Sequence, residues 1–333
     1  MVGDPHKDHG VWGRAEDLRM QRPTYTVNQR NGGGTEPAAE TAAALAAGSI
    51  IFREIDPDFS EECLTHAKQL LQFADQNRKN YHVTVPKVSD FYKSWNGYED
   101  ELCWATAWMY AATKETAYMR LAMHYYDKFD CGKVEESFDW DKKQAGVQLL
   151  LAQTMENEAL RAKYRSDVER YANHLVDRQK TGRTGQLYVH KWGTLRLANN
   201  FGAFLIGASR LEPKLERADE YFMKGIEQLG IALGDTGRSF INGFGVNPPV
   251  RPHHRSASCS SSNCSHMLNS SEPNKWILYG AMVGGPDING RYTDKRNDYV
   301  NNEVAIDYNA AYQYSLAAAK TIFVEEIEKL KSS

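Results

Sequence analysis

The chain has 333 residues, enough to bury a large hydrophobic core within one undivided domain. Its 40 Lys and Arg against 43 Asp and Glu give a formal net charge of −3, which excludes the strongly basic surface typical of nucleic-acid-binding proteins. No apolar run approaches the ~18 residues that a membrane-spanning helix needs, and the first thirty residues are too polar for a signal peptide. We therefore expect neither a nucleic-acid partner nor a membrane partner.

Apolar residues recur at helical spacing along most of the chain. The Ala-rich segment Glu36–Phe52 opens the series, with Pro37 where a first helical turn tolerates it, and Ser60 is a candidate N-cap for a helix that reaches about Asn77. A short strand candidate is Gly185–His190. The further predicted helices are Asp100–Ala112, Thr116–Phe129, Gly146–Thr154, Glu156–Gln179, Leu195–Arg210, Glu212–Leu233 and Asn302–Lys331. The pattern predicts an all-α fold, without choosing between a bundle, a solenoid and a toroid of helical hairpins.

The loop 235–301 is long and rich in Gly, His, Arg, Asn and Pro. Loops of this length in a compact domain are usually functional or disordered, and this composition favours function. Cys259, Cys264 and His266 form an incomplete zinc-ligand pattern, which a loop disulfide or two free thiols explains better. Because the chain has five Cys, at least one is unpaired within it.

Two segments in the second half of the chain carry candidate chemistry. In residues 239–255, Gly and Pro shape a non-helical path, and the alternation of His253 and Arg255 lets both side chains point one way. The alternative is an ordinary surface loop. In residues 292–310, Asp294 precedes a predicted helix and Glu303 lies in its first turn, so the two carboxylates can meet in one cleft. The alternative for Glu303 is a helix-start charge that the helix dipole favours.

Together these two segments resemble the signatures of glycoside hydrolase family 9, the endoglucanases and related cellulases. Further motifs match the family in the same order, from residue 1 to about residue 320. They are His9-Gly10-Val11-Trp12-Gly13-Arg14-Ala15-Glu16-Asp17, the Ala-rich segment 38–52, Ser94-Trp95-Asn96-Gly97-Tyr98-Glu99-Asp100-Glu101-Leu102, Phe138-Asp139-Trp140-Asp141, Lys191-Trp192-Gly193-Thr194-Leu195-Arg196 and Leu278-Tyr279-Gly280-Ala281-Met282-Val283-Gly284-Gly285-Pro286-Asp287. The resemblance implies an (α/α)6 barrel and a secreted, extracellular hydrolase. It also implies a monomer that cleaves β-1,4-glucosidic bonds of cellulose or soluble glucan with inversion and requires no cofactor.

The resemblance also implies roles for individual residues. Glu303 matches the general acid, which protonates the leaving glycosidic oxygen. Asp294 matches a second signature carboxylate that orients or tunes the catalytic site, and His253 belongs to the same catalytic group. His253 and Arg255 match residues that contact the sugar beside the scissile bond. The other implied substrate contacts are His9, Trp12, Tyr92, Trp95, Trp140, Trp192, Arg196 and Tyr308.

Some family members bind calcium near a Ser-Gly-Tyr-x-Asp-Glu motif. Here Asn96, Asp100, Glu101 and Asp141 take that place, and oxygen ligands suit calcium. A structural calcium ion is one expectation for this group. Solvated acids at the start of a helix are the alternative.

The sequence also departs from the family pattern. Asn242 stands where a small hydroxyl residue or Val is usual, which we expect to be tolerated, and Leu197 stands where Tyr is usual, which removes one substrate contact. Family members carry an Asp-Ala-Gly-Asp motif, ahead of the region that matches Met1, whose aspartates hold and deprotonate the attacking water. The sequence contains no such motif.

The missing motif matters because inversion needs an acid and a base on opposite faces of the sugar, ~6.5–9.5 Å apart. We therefore expect residues 1–333 to form a single catalytic domain that lacks the first barrel helices and the base, and to hydrolyse little or no glucan alone. The alternatives are a non-catalytic relative that binds glucan and a helical interaction scaffold.

Overall fold

The computed structural model describes residues 1–262 and 264–332, without the side chains of residues 326–332. Helices dominate these residues, in which β structure is confined to isolated bridges between single residue pairs. The α-helices are α1 (Pro5–His9), α2 (Thr35–Phe52), α3 (Pro57–Gln76), α4 (Tyr81–Thr84), α5 (Glu99–Thr113), α6 (Thr116–Lys128), α7 (Gln144–Thr154), α8 (Glu158–Asp177), α9 (Thr194–Ser209), α10 (Ala218–Leu233), α11 (Arg255–Ser258), α12 (Tyr299–Asn302) and α13 (Ile306–Ser332). Short 3-10 helices are Ala15–Asp17, Pro86–Val88 and Ser265–Asn269. The all-α prediction is confirmed.

The chain divides into two compact units. The first unit contains residues 1–8 and 21–171, and the second contains residues 9–20 and 172–333, so α8 crosses the division. The prediction of one catalytic domain over residues 1–333 stays a prediction.

Helix α2 organises the first unit. It packs against both α3 and α5, and its Ala39, Ala42 and Ala46 are fully buried. Their small side chains let the neighbouring helices approach closely. Helix α3 begins at Pro57, and the Asp56 carboxylate accepts a hydrogen bond from the Phe59 amide at 3.1 Å. The predicted Ser60 cap is therefore wrong, because Asp56, four residues earlier, caps the helix and Pro57 begins it.

Helices α9, α10 and α13 pack against one another in the second unit, and α9 is buried along almost its whole length. The predicted helix Glu212–Leu233 begins only at Ala218. Pro213 disfavours helical backbone at Glu212, where the helix was predicted to begin, and residues 213–217 form non-helical backbone with a bend and a turn before α10. The strand candidate Gly185–His190 contributes one antiparallel bridge, between Thr181 and Leu187.

The predicted helix Asn302–Lys331 is replaced by α12 and α13, with Glu303 in extended backbone between them at φ −67° and ψ 147°. Long-range pairing holds Glu303 there: its carbonyl accepts from the Gly284 amide at 3.0 Å, and the residue bridges to His253. The predicted placement of Glu303 in a first helical turn is therefore wrong. A helix-dipole role does not explain this carboxylate.

Candidate active site

The Glu303 carboxyl lies between two hydrogen-bond donors of the second unit. The Trp192 Nε1–H donates to Glu303 Oε2 at 3.2 Å, and the Tyr308 hydroxyl donates to the same oxygen at 3.3 Å. Burial, reinforced by the Glu303 charge, raises the pKa of Tyr308 well above its usual value, so the phenol keeps its proton and donates. The two donors therefore fix the orientation of the carboxyl group through Oε2.

A glycine allows this approach. Gly193 has a φ of 60°, and a Cβ at this position would lie 2.8 Å from the Tyr308 hydroxyl oxygen. Arg196, an expected substrate contact, is buried beneath the same tyrosine, with its Cζ 5.5 Å from the ring centroid and its Nη1 3.1 Å from Asp307 Oδ2. In this structure Arg196 therefore packs against the Tyr308 ring and helps to hold it in place.

Four rings form a row beside Glu303, which we call the aromatic row: Trp12, His253, Tyr299 and Trp192. Successive ring centroids lie 4.9 Å, 6.0 Å and 5.2 Å apart. Trp192 and Tyr299 are well exposed, and flat apolar rings of this kind stack on the C–H faces of sugars. Tyr299 was missed as a candidate contact, although it stands four residues before Glu303 in the same motif.

The far end of the row is anchored on a closed loop. Trp12 Nε1 donates to Ser258 Oγ at 3.0 Å, and its ring packs against Cys259, Cys264 and Met267. Cys259 and Cys264 form a disulfide, which confirms the disulfide interpretation of this loop over a zinc site. A second disulfide joins Cys103 and Cys131 in the first unit, and Cys63 is free and buried.

Asp294 is turned toward backbone rather than toward the aromatic row. Its carboxylate accepts from the Val250 amide at 2.8 Å, the Arg251 amide at 3.1 Å and Asn302 Nδ2 at 3.1 Å. Only 8% of its side chain is exposed. Asn302 also presents its carbonyl to the His253 amide at 2.7 Å. Asp294 thus joins the strand-like segment before His253 to the residue before Glu303.

We expect Asp294→Asn to lower the free energy of unfolding by about 1–3 kcal/mol, because the amide nitrogen would face N–H donors and leave buried groups unpaired. Urea titration followed by circular dichroism measures the change. Asp219→Asn is the matched control, since its ion pair with Lys214 is on the surface and contributes little. Equal stability of the two variants would contradict a structural role for the Asp294 carboxylate in joining the segment before His253 to Asn302.

His253 is half-buried, and desolvation lowers its pKa, an effect that the Arg296 carbonyl and Glu303 oppose and Arg255 and His9 reinforce. Arg255 opens α11 directly after the 253–254 histidine pair, and His9 is an exposed residue of the same unit. The neutral imidazole is therefore the form favoured beside Glu303 near neutral pH.

The remaining expected sugar contacts, Tyr92, Trp95 and Trp140, lie in the first unit. Trp95 is 73% exposed with the Lys93 ammonium 4.6 Å from its ring centroid, and the Tyr92 and Trp140 rings are 5.2 Å apart. Their exposure leaves aromatic surface accessible to a sugar ring.

The expected calcium ligands do not converge on one point. Asp100 accepts from Asn96 Nδ2 at 2.9 Å and from the Lys143 amide at 2.7 Å, while Asp141 accepts from the Trp95 amide at 3.0 Å. The Lys143 ammonium, 3.9 Å from Glu101, already supplies a cation. In the part of the chain that the structure describes, no three His, Cys, Asp or Glu side chains are grouped to hold a metal ion. Calcium binding stays a prediction. A melting temperature that is higher with added calcium than with a chelator would support it.

No helix among the described residues is both long and apolar enough to cross a lipid bilayer.

The family model for glycosyl hydrolase family 9 matches residues 1–316. Endoglucanase A of Bacillus pumilus is 39% identical over 338 aligned residues, which cover 99% of this chain and 50% of that protein. The chain thus spans about half the length of this curated relative.

Solved structures match as well. The endoglucanase of the termite Nasutitermes takasagoensis superposes with a TM-score of 0.89 at 44% identity, covering 96% of this chain and 72% of that one. Endoglucanase CelQ of Clostridium thermocellum gives a TM-score of 0.82 at 30% identity, covering 95% of this chain and 52% of that one. These matches confirm the predicted (α/α)6 barrel class. With the family model and these relatives in agreement, the chain belongs to glycosyl hydrolase family 9.

Proposed function

We propose that this protein is an endo-β-1,4-glucanase, a cellulase that hydrolyses its substrate with inversion, and that Glu303 is the general acid. The observation that carries the proposal is the Glu303 carboxyl beside the aromatic row, with Trp192 and Tyr308 both donating to Oε2. CelQ, a relative, was solved with cellobiose and cellotriose. A β-1,4-glucan is therefore the substrate class we propose here.

The donors on Oε2 leave Oε1 to carry the acidic proton. In the proposed step this proton moves to the glycosidic oxygen while the bond from that oxygen to the anomeric carbon breaks, and the bonding electrons stay with the leaving oxygen. The Trp192 and Tyr308 donors then stabilise the carboxylate that remains. His253 and Arg255 contact the sugar, and Asp294 acts through the backbone that it holds.

The attacking water must lose its proton to a second carboxylate on the opposite face of the sugar. By resemblance this role belongs to an Asp-Ala-Gly-Asp motif, which residues 1–333 do not contain. In this proposal the 333 residues supply the acid and the sugar contacts. For experiments on catalysis we define the extended chain as this sequence with a family 9 segment that carries Asp-Ala-Gly-Asp joined ahead of Met1.

Binding tests the substrate class without requiring turnover. By isothermal calorimetry the chain is expected to bind cellotetraose at least about tenfold more tightly than maltotetraose, whose α-linkages present differently shaped ring faces. Trp192→Ala should weaken cellotetraose binding, and Trp276→Ala, another exposed tryptophan of the same unit, should not. Equal binding of the two sugars would contradict a β-1,4-glucan site. Binding by an inactive extended chain would favour the non-catalytic alternative.

Tyr308→Phe is expected to lower hydrolysis of cellotetraose by the extended chain about tenfold, because one charge-assisted hydrogen bond to the Glu303 carboxylate that remains after proton transfer is lost. Initial rates of reducing-sugar release measure the effect. Tyr314→Phe, on the same helix α13, is the control and should leave the rate unchanged. Equal rates for both variants would remove Tyr308 from the proposed mechanism.

We also propose that the protein acts outside the cell, where insoluble glucan is found. The Cys103–Cys131 and Cys259–Cys264 disulfides support this, because disulfides persist in oxidising compartments. Recovery of the native protein from cells rather than from the medium would contradict it.

A further inference from the structure

Arg296 is the largest fully buried side chain in the described structure, with 1% of its surface exposed. Its Nε donates to Asn274 Oδ1 at 2.6 Å, its Nη2 to the Glu272 carbonyl at 2.6 Å, and its Nη1 to the carbonyls of Met267 and Ser270. All of these acceptors are neutral oxygens. Desolvation of a cation is costly, so these hydrogen bonds must be kept for the side chain to remain buried, which fixes the segment 267–274 around it.

Arg296 interacts both with the His253 ring and, through Asn274, with the backbone just before it. The Arg296 carbonyl accepts from His253 Nδ1 at 2.6 Å. The Asn274 side chain accepts a hydrogen bond from the Arg296 guanidinium through Oδ1, and its Nδ2 donates to the Pro252 carbonyl at 3.0 Å. The ring thus contacts the main-chain carbonyl of Arg296, and the buried guanidinium of the same residue reaches the backbone just before His253 through Asn274.

This contact determines which ring nitrogen carries the proton. A carbonyl oxygen only accepts hydrogen bonds, so His253 Nδ1 must be the protonated nitrogen. Desolvation lowers the pKa of His253 and so favours the neutral ring, in which Nε2 carries a lone pair. The charged or titratable groups that act on this ring are Glu303, Arg255, His9 and the neighbouring His254.

We propose that Arg296 is a positioning residue that holds His253 in the Nδ1-protonated tautomer, so that Nε2 serves as a hydrogen-bond acceptor for a sugar hydroxyl beside Glu303. This inference rests on the proposed glucanase function for the identity of the ligand. The tautomer itself is independent of that function. A ring held with its acceptor toward the sugar contributes to binding and orientation, not to proton transfer.

Nitrogen-15 NMR of the labelled chain measures the tautomer directly, with the His253 signals assigned by their loss in His253→Asn. At pH 8, above the range in which histidines titrate, Nδ1 is expected at the shift of a protonated nitrogen and Nε2 at that of an unprotonated one. Arg296→Lys should give a mixture of tautomers, and Arg291→Lys, which changes an exposed arginine, should not. A protonated Nε2 in the unaltered chain would overturn the proposal, as would an unchanged tautomer in folded Arg296→Lys. If Arg296→Lys does not fold, Asn274→Ala, which removes both the acceptor for the Arg296 Nε–H and the bridge to the Pro252 carbonyl, gives the same test.

A matched pair of amides tests the acceptor. Gln at position 253 places an amide oxygen near the Nε2 position, whereas Asn places its amide near Nδ1. Cellotetraose affinity is expected to fall about tenfold in His253→Asn and less than about threefold in His253→Gln. Equal losses in the two variants would overturn the acceptor role. Absence of binding by the unaltered chain would instead overturn the proposed function, and the NMR result would still decide the tautomer.

Discussion

Replacement of Glu303 by glutamine in the extended chain is expected to lower cellotetraose hydrolysis about a thousandfold, within the range that general acid catalysis contributes. The amide keeps the shape of the side chain, and its oxygen can still accept from Trp192 and Tyr308. It has no acidic proton to give to the leaving oxygen. The variant therefore separates proton donation from the structural role of the side chain.

Initial rates of reducing-sugar release at saturating cellotetraose measure this loss. Glu216→Gln, which changes an exposed glutamate of the same unit, is the control and should retain the full rate. Cellotetraose affinity should change little in Glu303→Gln, since the sugar contacts remain. A loss of less than about tenfold would mean that another group protonates the leaving oxygen.

The 333-residue chain alone is expected to release reducing sugar from carboxymethylcellulose at least about a hundredfold more slowly than the extended chain at equal concentration. The physical reason is that water attack on the anomeric carbon lacks a general base when the Asp-Ala-Gly-Asp motif is absent. The two chains share every residue from Met1 onward, so the difference reports the added segment.

A comparable rate from the 333-residue chain, lost on Glu303→Gln, would contradict this expectation. Some carboxylate within residues 1–333 would then have to activate the water. Release that survives Glu303→Gln would instead indicate a contaminating glucanase.

The helical periodicity of the sequence was sufficient to predict an all-α fold, because burial of one helix face is a local signal. The choice of an (α/α)6 barrel came from the resemblance to family 9. It failed where long-range pairing decides the backbone. Glu303 was expected in a first helical turn, but its hydrogen bond with Gly284 and its bridge to His253 hold it extended. No window of neighbouring residues contains that information.

Some residues of the candidate site could likewise be predicted from the sequence, and others could not. The resemblance to family 9 nominated Trp192, Glu303 and Tyr308 as site residues, and the structure places their side chains in contact. Most of the hydrogen bonds on which the roles of Asp294 and Arg296 depend join residues 22 to 44 positions apart, so composition and spacing could not predict them. Arg296 in particular looks like a surface residue in the sequence and is fully buried in the fold.

The acid role of Glu303 is tested most directly by the leaving group. Dinitrophenolate departs without protonation, whereas a sugar alkoxide needs an acid. In the extended chain, Glu303→Gln is therefore predicted to lower hydrolysis of cellotetraose about a thousandfold and that of 2,4-dinitrophenyl β-cellobioside less than about tenfold. Equal losses on the two substrates would show that Glu303 does not protonate the leaving group, and would contradict the account.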